Sequence, residues 1–465
     1  MRHTKKKSVH PRTLAFLCLL ALATATRAET LDFDQAVQRA LAQNPDIIVA
    51  GTQIGQAEAA VRQSTGARMP KITASLNVTR TDDALNAFGL KLSQRNATFN
   101  DFGAGEFNPA NPDVLSVAPY TLNHPDAVNN FNARLEAQLP LYTGGMIEGY
   151  IEQARAHLRA ARQGDVLARQ QVIFDVLRAY EGVHTARAYR DVAEQGRLAA
   201  ENYVKTINSL FKGGVVVKSD LLSAQVHLED AKVQQTQAEN AVQQALDQLH
   251  LLLGMPLAAP LEVAGSVEVR PLEGKLADYQ DAALKSNPGL AALRSQVDAA
   301  QASVKVARAG KYPQAGLLAR FDTNDNNLGF DAHSYTVGGQ LSWQLFDGDV
   351  VNGTIHRAEA SRDEFAARLN KAENGIAYQV ADAWRRADEA QRRVLARELA
   401  VSQAGEAQRI VEKRYAGGAT TITELLAAQA QLDKTRADLV AARYELKVQR
   451  ANARLATGRL QPDLQ

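Results

Sequence analysis

Four stretches of the chain alternate between apolar and polar residues with a period of two, at 71–79, 131–139, 314–322 and 334–345. Each is about ten residues long, the length of a tilted strand that crosses a bilayer. The pattern predicts strands with lipid on one face and water on the other, although a half-buried soluble sheet shows the same alternation. Two aromatic positions are expected at strand ends, in a membrane girdle: Tyr335 and Trp343. The positions predicted to face lipid include Ile72, Leu76, Leu135, Leu317, Tyr335, Leu341 and Trp343.

A helical period of three to four residues governs most of the remaining chain. Each strand pair is preceded by a helix of about 35 residues that a proline ends, and is followed by a very long helix. A glycine turn then leads into a returning helix of about 35 residues. At about 1.5 Å per residue the long helix measures roughly 100 Å, which predicts a rod with two short helices beside each long one. The predicted first and long helices are 31–66, 145–212, 276–309 and 352–415.

These helices present apolar stripes to one another, as at Ile173, Val176, Tyr180 and Val183. A soluble coiled coil would show the same stripes. No segment is left to cover the apolar faces of the strands, however, and this favours the membrane interpretation. Four strands cannot close a barrel, for which about eight is the minimum. The chain is therefore predicted to oligomerise, as a dimer with eight strands or as a trimer with twelve strands and room for a lumen.

The chain is predicted to contain two copies of one unit. An Asn-Pro pair at 44–45 recurs 243 residues later, whereas Gly254 recurs as Gly458 at an offset of 204. The fall from 243 to 204 places 39 extra residues in the first copy, within a long loop at 81–127. This loop is interpreted as a tolerated insertion without function, and a role as a receptor or plug is the alternative. The predicted divisions are a signal peptide (1–28), a first repeat (29–254), a linker (255–275), a second repeat (276–458) and a C-terminal tail (459–465).

The first 28 residues combine a basic start, a short apolar core and small residues, as in a cleaved secretory signal. The core is too short to span a bilayer, and cleavage is expected after Ala25 or Ala28. The only cysteine, Cys18, lies inside that core and is not expected to be lipidated. Six of the 53 basic residues and none of the 51 acidic residues lie in this segment. The remaining balance, 47 basic against 51 acidic, gives no support to nucleic-acid binding.

No catalytic or cofactor chemistry is predicted. The chain lacks a glycine-rich phosphate loop. His184, His227 and His356 lie on predicted helices without a second ligand three or four residues away. Asp322 and Asp325 are interpreted as solvated loop charges. We therefore expect a protein that is not an enzyme and that binds neither a metal ion nor a cofactor.

An ordered set of short motifs runs along both copies. It comprises the Asn-Pro of each first helix, Pro-Leu-Tyr-Thr-Gly-Gly at 140–145, and Arg-Tyr-Ala-Gly-Gly at 414–418 leading into Thr-Glu-Leu-Leu at 423–426. In this order the motifs resemble the TolC-type outer membrane efflux protein (outer membrane factor) family over essentially the whole mature chain. The resemblance implies a mainly α protein with a membrane β-barrel. Long antiparallel helical hairpins would form a periplasmic α-barrel, and four strands per subunit would complete a twelve-stranded barrel.

The same resemblance implies location and partners. The chain would be a homotrimer in the outer membrane of a Gram-negative bacterium, in contact with outer membrane lipid, with a large periplasmic part. Its partners would be a periplasmic adaptor, or membrane fusion protein, and an inner membrane transporter. The adaptor would grip the two glycine turns, at Gly213, Gly214, Gly417 and Gly418.

The family carries a ring of acidic side chains at its periplasmic tip. Aligned through Tyr415 and Gly418, Glu424 falls on the first acidic position of that ring and Ala427 on the second. Thr420 falls where some members have a basic gate residue. The position equivalent to Glu424 in the first copy is acidic too, at Asp220. The predicted periplasmic aperture therefore comprises Asp220, Glu424, Tyr415 and Thr420, although acidic residues in the first turn of any helix are also favoured by its dipole.

Three functions remain open from the sequence. The first is a passive conduit of a tripartite efflux system for small toxic compounds, either drugs or metal ions. The second is the outer membrane exit duct of a type I protein secretion system. The third is a trimeric coiled-coil adhesin or scaffold, against which the doubled strand pattern argues.

Overall fold

The computed structural model describes residues 29–461, so the predicted signal peptide with Cys18 and residues 462–465 of the predicted tail lie outside the described residues. The described chain forms two compact units. The first comprises 29–52, Gln163–Leu290 and 372–461, and the second comprises Gln53–Arg162 and Ala291–Lys371. None of the helices between 29 and 461 combines the length and the hydropathy of a membrane-spanning helix.

The long helices, the returning helices and the four long strands of the described residues follow the order that the hydrophobic pattern predicts. In chain order the elements are β1 (Glu29–Leu31), α1 (Phe33–Gln43), α2 (Pro45–Gly66), β2 (Lys71–Thr81), α3 (Ala84–Ser93), α4 (Tyr120–Asn123), β3 (Val128–Tyr142), α5 (Met146–Lys212), α6 (Lys218–Leu252), β4 (Leu261–Val263), α7 (Leu276–Ser286), α8 (Pro288–Arg308), β5 (Gln314–Asp325), β6 (Ala332–Ser342), α9 (Val350–Ala416) and α10 (Ile422–Ala456).

The element bounds repeat at the two offsets found in the sequence. Helices α5 and α9 both have 67 residues and begin 204 residues apart, at Met146 and Val350. Helices α6 and α10 both have 35 residues and keep the same offset. Helices α1 and α7 both have 11 residues and begin 243 residues apart, at Phe33 and Leu276. The domain boundaries drawn from the sequence stay a prediction.

The single first helix predicted for each copy is wrong, because each is two helices that an Asn-Pro pair separates. Proline cannot follow a helical residue without a clash, so Asn44 and Asn287 are extended and α2 and α8 begin afresh. The Nδ2 of Asn44 donates to the Leu252 carbonyl at 3.2 Å, and the Nδ2 of Asn287 donates to the Ala456 carbonyl at 3.2 Å. Their Oδ1 atoms accept backbone N–H groups of α2 and α8, at 2.9 and 3.2 Å. Each asparagine therefore joins three helix ends.

The core of the first unit surrounds Tyr180 of α5, which is fully buried. Its hydroxyl donates to the carbonyls of Leu31 and Gly265, at 3.3 and 3.2 Å. Strands β1 and β4 pair in parallel beside it. Sequence patterning missed these strands because three residues are too few to show a period. Part of the predicted linker, 261–265, is thereby held against the long helix.

The buried carboxylate of Glu181, the residue after Tyr180, holds the next two residues of the same linker segment. Glu181 accepts the backbone N–H of Val267 at 2.6 Å and pairs with the Nζ of Lys447 at 3.0 Å. The hydroxyl of Ser266 also donates to it, at 2.9 Å. A buried charge is tolerated only when it is paired and hydrogen-bonded in this way. The linker therefore contributes to the core of the first unit.

The second unit contains a four-stranded antiparallel sheet in the order β2-β3-β5-β6. The hairpin of the first copy pairs with that of the second through β3 and β5, where Leu135 stands opposite Phe321. Leu135 also stands opposite Ala74 of β2, and Phe321 stands opposite Tyr335 of β6. These four residues form the central row of the sheet. Strands β2 and β6 are its edges.

The predicted end of the last strand, at 345, is wrong. Strand β6 ends at Ser342, so Trp343 lies just beyond it, where its indole N–H donates to the Lys311 carbonyl at 3.1 Å. Tyr335 is the fourth residue of β6 and stands opposite Phe321 in the central row. The girdle roles of both aromatic residues stay predictions. The alternation of apolar residues continues past Ser342 in the sequence, but the backbone pairing stops there. Periodicity alone therefore placed the end of the strand too late.

The loop predicted at 81–127 is largely structured. It contains α3, α4 and three short 3-10 helices at Phe99–Phe102, Ala104–Glu106 and Val114–Ser116. The rings of Phe88 and Phe102 meet edge to face, with their centroids 4.8 Å apart. We call residues 84–123 the inserted segment. Its short helices are too brief for a hydrophobic period to reveal them.

Candidate functional site

The two glycine turns join α5 to α6 and α9 to α10 with the same backbone geometry. Gly214 has φ +73° and Gly418 has φ +71°. Three residues after each long helix ends, a backbone N–H returns to a carbonyl of the last turn. Val215 donates to Leu210 at 2.9 Å, and Ala419 donates to Arg414 at 2.8 Å. This Schellman arrangement satisfies the last carbonyls of the helix and turns the chain back. Glycine enters the left-handed region without steric cost.

The first glycine of each pair has a different role. Gly213 and Gly417 do not have positive φ, and a Cβ there would meet neighbours at ordinary distances of 3.4 and 3.6 Å. A Cβ on Gly214 or Gly418 would meet nothing within 4 Å, so those turns are open on their outer side. The conformational requirement of each turn therefore falls on Gly214 and Gly418, and bulk added there projects into open space.

Of the predicted aperture residues, Tyr415 lies within the electrostatic reach of Asp220. Tyr415 is buried, and its hydroxyl has no hydrogen-bond partner among the described residues. Burial raises the pKa of Tyr415, and the Asp220 carboxylate raises it further. Tyr415 packs in a small apolar cluster beside the turns, drawn from all four hairpin helices: Tyr203, Ile207, Ala224, Tyr415, Ile422 and Leu425.

Thr420 and Glu424 form a separate pair at the start of α10. The Thr420 hydroxyl donates to the Glu424 carboxylate, while the Glu424 backbone N–H donates to the Thr421 hydroxyl at 3.3 Å. Thr421 is thus the N-cap of α10. The Glu424 side chain is exposed in the single chain and turns toward the loop residue Thr420.

Sequence reasoning missed a buried polar cluster further inside the hairpins. The Tyr203 hydroxyl donates to the Gln429 Oε1 at 2.9 Å and accepts the Nε2 of Gln408 at 2.7 Å. Gln429 also donates to both Asp433 carboxylate oxygens, at 3.0 and 3.1 Å. Burial raises the pKa of Asp433 and raises that of Tyr203 to about 12. The available signal was a glutamine in an otherwise small, apolar run, Ala-Ala-Gln-Ala at 427–430.

One face of the sheet carries large apolar side chains that stay exposed in the single chain. In the central row Leu135 is 51% exposed and Tyr335 is 82% exposed. A contiguous apolar surface of this kind indicates an apolar contact outside the chain. All the predicted lipid-facing positions are exposed in this way: Ile72, Leu76, Leu135, Leu317, Tyr335, Leu341 and Trp343.

The opposite face carries a polar network. Asp322 is 5% exposed, and the Nε atoms of Arg134 and Arg320 each lie 2.7 Å from its carboxylate. Asn132 donates to Asp322 at 3.3 Å and to Asn324 at 3.1 Å. The interpretation of Asp322 as a solvated loop charge is therefore wrong, because it lies within β5 and pairs across strands. Within residues 29–461 no group of three or more His, Cys, Asp or Glu side chains is arranged to hold a metal ion.

The model of the family described as outer membrane efflux protein matches residues 36–255 and 280–459, which is most of the chain. The chain belongs to the outer membrane efflux protein family. The two matched stretches coincide with the two copies, and the adhesin hypothesis is therefore set aside. Members of this family are outer membrane proteins with a large periplasmic helical part, as was predicted for this chain.

Named relatives in this efflux protein family differ in how much of their length the chain matches. It is 24% identical to the outer membrane protein TolC of Vibrio cholerae serotype O1, over 94% of this chain and 93% of TolC. It is 28% identical to the alkaline protease secretion protein AprF of Pseudomonas aeruginosa, over 62% of each. The matches to AprF and to Protein CyaE of Bordetella pertussis span less than two thirds of those proteins, 62% and 56%.

The solved structure of CusC has the same fold as this efflux protein. The two agree with a TM-score of 0.76 over 94% of this chain and 95% of CusC, at 17% sequence identity. This confirms the predicted fold class, in which long helical hairpins are combined with four strands. The aperture, docking and lipid-facing roles stay predictions.

Proposed function

We propose that three copies of this chain form a passive channel through which compounds leave the cell across the outer membrane. The proposal includes no catalytic step and no cofactor. The observation that carries it is the four-stranded sheet with two open edges and two unlike faces.

The sheet edges require other copies of the chain. β2 and β6 each present 11 residues of strand edge. Lipid offers no hydrogen-bond partner to backbone N–H and C=O groups, so an edge cannot remain open inside a bilayer. Pairing β2 of one subunit with β6 of the next repeats around a closed ring. Two copies would give eight strands and an interior filled by side chains, whereas three give twelve strands and a lumen.

The two faces orient the sheet in that ring. The face with Leu135 and Tyr335 would contact lipid, since burying apolar side chains in lipid removes them from water. The face with Arg134, Asp322 and Asn132 would line the water-filled lumen, since a charge facing lipid costs several kcal/mol. The lipid-facing positions would be those listed above for the exposed face.

The hairpin turns would mark the periplasmic end. Gly214 and Gly418 leave their outer side open, which suits contact with a periplasmic adaptor that bridges to an inner membrane transporter. Asp220 and Glu424 would recur three times around the axis there. Such a carboxylate ring at a narrow opening favours cations. Tyr415 and Thr420, which lie beside these carboxylates, would help to hold the opening closed.

Two cargo classes are supported to different degrees. The family description and the coverage of TolC favour efflux of small toxic compounds, either drugs or metal ions. The identity to AprF supports, as a second candidate, the exit duct of a protein secretion system.

Fractionation and a deletion strain test the proposal. The protein should sediment with the outer membrane and run as a trimer in mild detergent. Loss of the protein should raise the accumulation of a dye such as ethidium, or sensitivity to cobalt and cadmium salts. Loss of a secreted protein from the medium without these effects would instead select the exit duct. Recovery as a soluble monomer without detergent would contradict both.

A further inference from the structure

The inserted segment joins the two strand ends of the first hairpin that lie away from the helices. Strand β2 follows α2 and ends at Thr81, whereas β3 starts at Val128 and is followed by α5. The equivalent connection of the second copy, between β5 and β6, is only six residues long, at 326–331. The inserted segment is therefore an asymmetric addition to one end of an otherwise repeated sheet.

Gln94, at the end of α3, anchors the inserted segment to the polar face of the sheet. Its Nε2 donates to the Oδ1 of Asn130 at 2.9 Å and to the Asn129 carbonyl at 2.7 Å. The Asn130 side chain donates in turn to Asn324 of β5 at 3.1 Å. In the strand alternation Asn130 and Asn324 lie on the same side as Arg134 and Asp322. Gln94 and Asn130 are buried, at 8% and 3% exposure, so the end of α3 covers the outer strand ends of this face.

A second anchor reaches across the sheet. The Arg95 guanidinium donates to the His333 carbonyl of β6 at 2.7 Å. Because β5 lies between β3 and β6, the adjacent residues Gln94 and Arg95 span three strands. Val128 and Ala332 are apolar, although the strand alternation places them on the polar face, and both are buried.

An ion pair and several hydrogen bonds connect distant parts of the inserted segment to one another. Lys91 of α3 pairs with Asp101 at 2.5 Å, and this hydrogen bond lowers the pKa of Asp101 to about 2. The Glu106 carboxylate accepts the backbone N–H groups of Tyr120 and Thr121, at 2.6 and 2.9 Å. These contacts join positions 10 to 15 residues apart along the segment. The segment is therefore cross-connected by its own side chains.

The short connection at 326–331 lies against the apolar face of the sheet. Its residues Leu328 and Phe330 line a groove on the apolar face with Leu76, Leu135 and Phe321. The two connections at this end of the sheet thus lie on opposite faces. Position at the strand ends does not by itself explain why the inserted segment covers the polar face.

We propose that the inserted segment is a constriction at the outer mouth of the channel, folded inward over the lumen wall. This rests on the proposed function, in which the polar face lines the lumen of a trimer. Three copies would then narrow the outer mouth, so the channel would restrict entry of solutes from outside independently of its periplasmic aperture. The partner of the segment is the lumen wall of its own subunit.

Removing the segment tests this directly. Thr81 and Val128 stand opposite each other in register, so Asn-Gly can replace 82–127 as a two-residue hairpin turn. In planar bilayers the shortened trimer should admit larger polyethylene glycols from the outer side than the parent does, because the outer mouth is the first restriction met from that side. An unchanged polymer size limit in inserted shortened trimers would overturn the inference, whatever the periplasmic aperture does to conductance. Absence of any trimer or channel from the parent protein would instead refute the proposed function.

A full-length test covers the case in which the shortened chain does not fold. In a Cys18→Ser background, Leu92→Cys places a thiol on α3 near Gln94, and Leu328→Cys places one on the other connection. Both leucines are exposed, at 49% and 76%, so both thiols should react. A charged thiol reagent added from the outer side should lower conductance by about half or more in Leu92→Cys and leave Leu328→Cys unchanged. Equal effects in both variants, or no effect in labelled Leu92→Cys, would overturn the inference.

Discussion

The backbone of Asn287 packs against the end of α10 so closely that Gly458 has no room for a side chain. A Cβ on Gly458 would lie 2.8 Å from the Asn287 Cα and 2.7 Å from the Cδ of Pro288. Gly458 also has φ +71°. The Asn-Pro pair and the distant glycine, which recur together in both copies, therefore belong to one contact. In the first copy a Cβ on Gly254 would lie 3.2 Å from Gln43, a looser version of the same arrangement.

We expect Gly458→Ala to destabilise the first unit by about 2 kcal/mol or more, because it combines a left-handed backbone with a backbone clash. Asn287→Ala should cost about 1 kcal/mol, the usual loss on removing a cap. Denaturant unfolding of detergent-solubilised protein measures both. The control is Gly375→Ala in α9, where a Cβ would meet nothing within 4 Å. That change should be neutral or slightly stabilising, and an equal loss there would refute the explanation.

A lysine on the apolar face should lower the free energy of unfolding, and it should lower it more at a position nearer the middle of the bilayer. Leu135 lies in the central row of the sheet, whereas Leu341 lies near the end of β6. Leu135→Lys should cost about 2–4 kcal/mol, and Leu341→Lys should cost less. Unfolding in lipid vesicles measures the difference. Thr73→Lys is the matched control, since Thr73 stands opposite Glu136 on the polar face. Comparable losses at Leu135 and Thr73 would show that the faces are assigned wrongly.

Valine at Gly214 and Gly418 should abolish ethidium efflux while trimers still reach the outer membrane. The variants add bulk at turns that are open in the single chain and also strain the backbone, by about 1–2 kcal/mol at each site. Dye accumulation and trimer yield are measured together. Alanine at Gly213 and Gly417, where φ is not positive, should leave efflux nearly intact. Normal efflux by the valine trimers would show that an adaptor does not contact these turns.

The aperture carboxylates should control the ion preference of the channel. Reconstituted trimers should favour cations, and multivalent cations added on the periplasmic side should block them. Glu424→Gln should weaken both effects, and Asp220→Asn should weaken them less. Reversal potentials in planar bilayers provide the measurement. If neither variant changes selectivity or block, the two residues serve only as first-turn acids of their helices.

The stability of the first unit should fall in mild acid. His184 lies beside Tyr180, with ring centroids 5.3 Å apart. Burial lowers the pKa of His184 below its ordinary 6.5, Glu181 opposes that shift, and Arg187 and Lys447 add to it. The folded chain therefore binds this proton more weakly than the unfolded chain does. Neutral His184 contributes fully to the free energy of unfolding above about pH 6.5, and this contribution declines as the pH falls below that value.

Thermal unfolding at about pH 7 and about pH 5 measures this effect. His184→Phe should reduce the drop in the unfolding midpoint between the two. The control is His356→Phe, because the His356 side chain is 81% exposed. An unchanged drop in His184→Phe would assign the acid sensitivity to other groups.

Several features were accessible from the sequence because they depend on local spacing. The long helices were predicted within two residues of their observed bounds, since a helical stripe accumulates over 67 residues. The alternation at 71–79 and 131–139 identified the strands and their faces. The glycine turns were recognisable because a left-handed residue after a helix is usually glycine.

The sequence by itself thus determined the elements, their duplication and the two faces of each strand, because these depend on the period of neighbouring residues. Only the tertiary structure decided which distant residues meet. It placed the Asn-Pro pairs on the ends of α6 and α10, and it placed Gln94 against the polar face of the sheet. Such contacts join residues tens to hundreds of positions apart. Their geometry follows from packing and hydrogen bonding in three dimensions, on which the periodicity of the sequence carries no information.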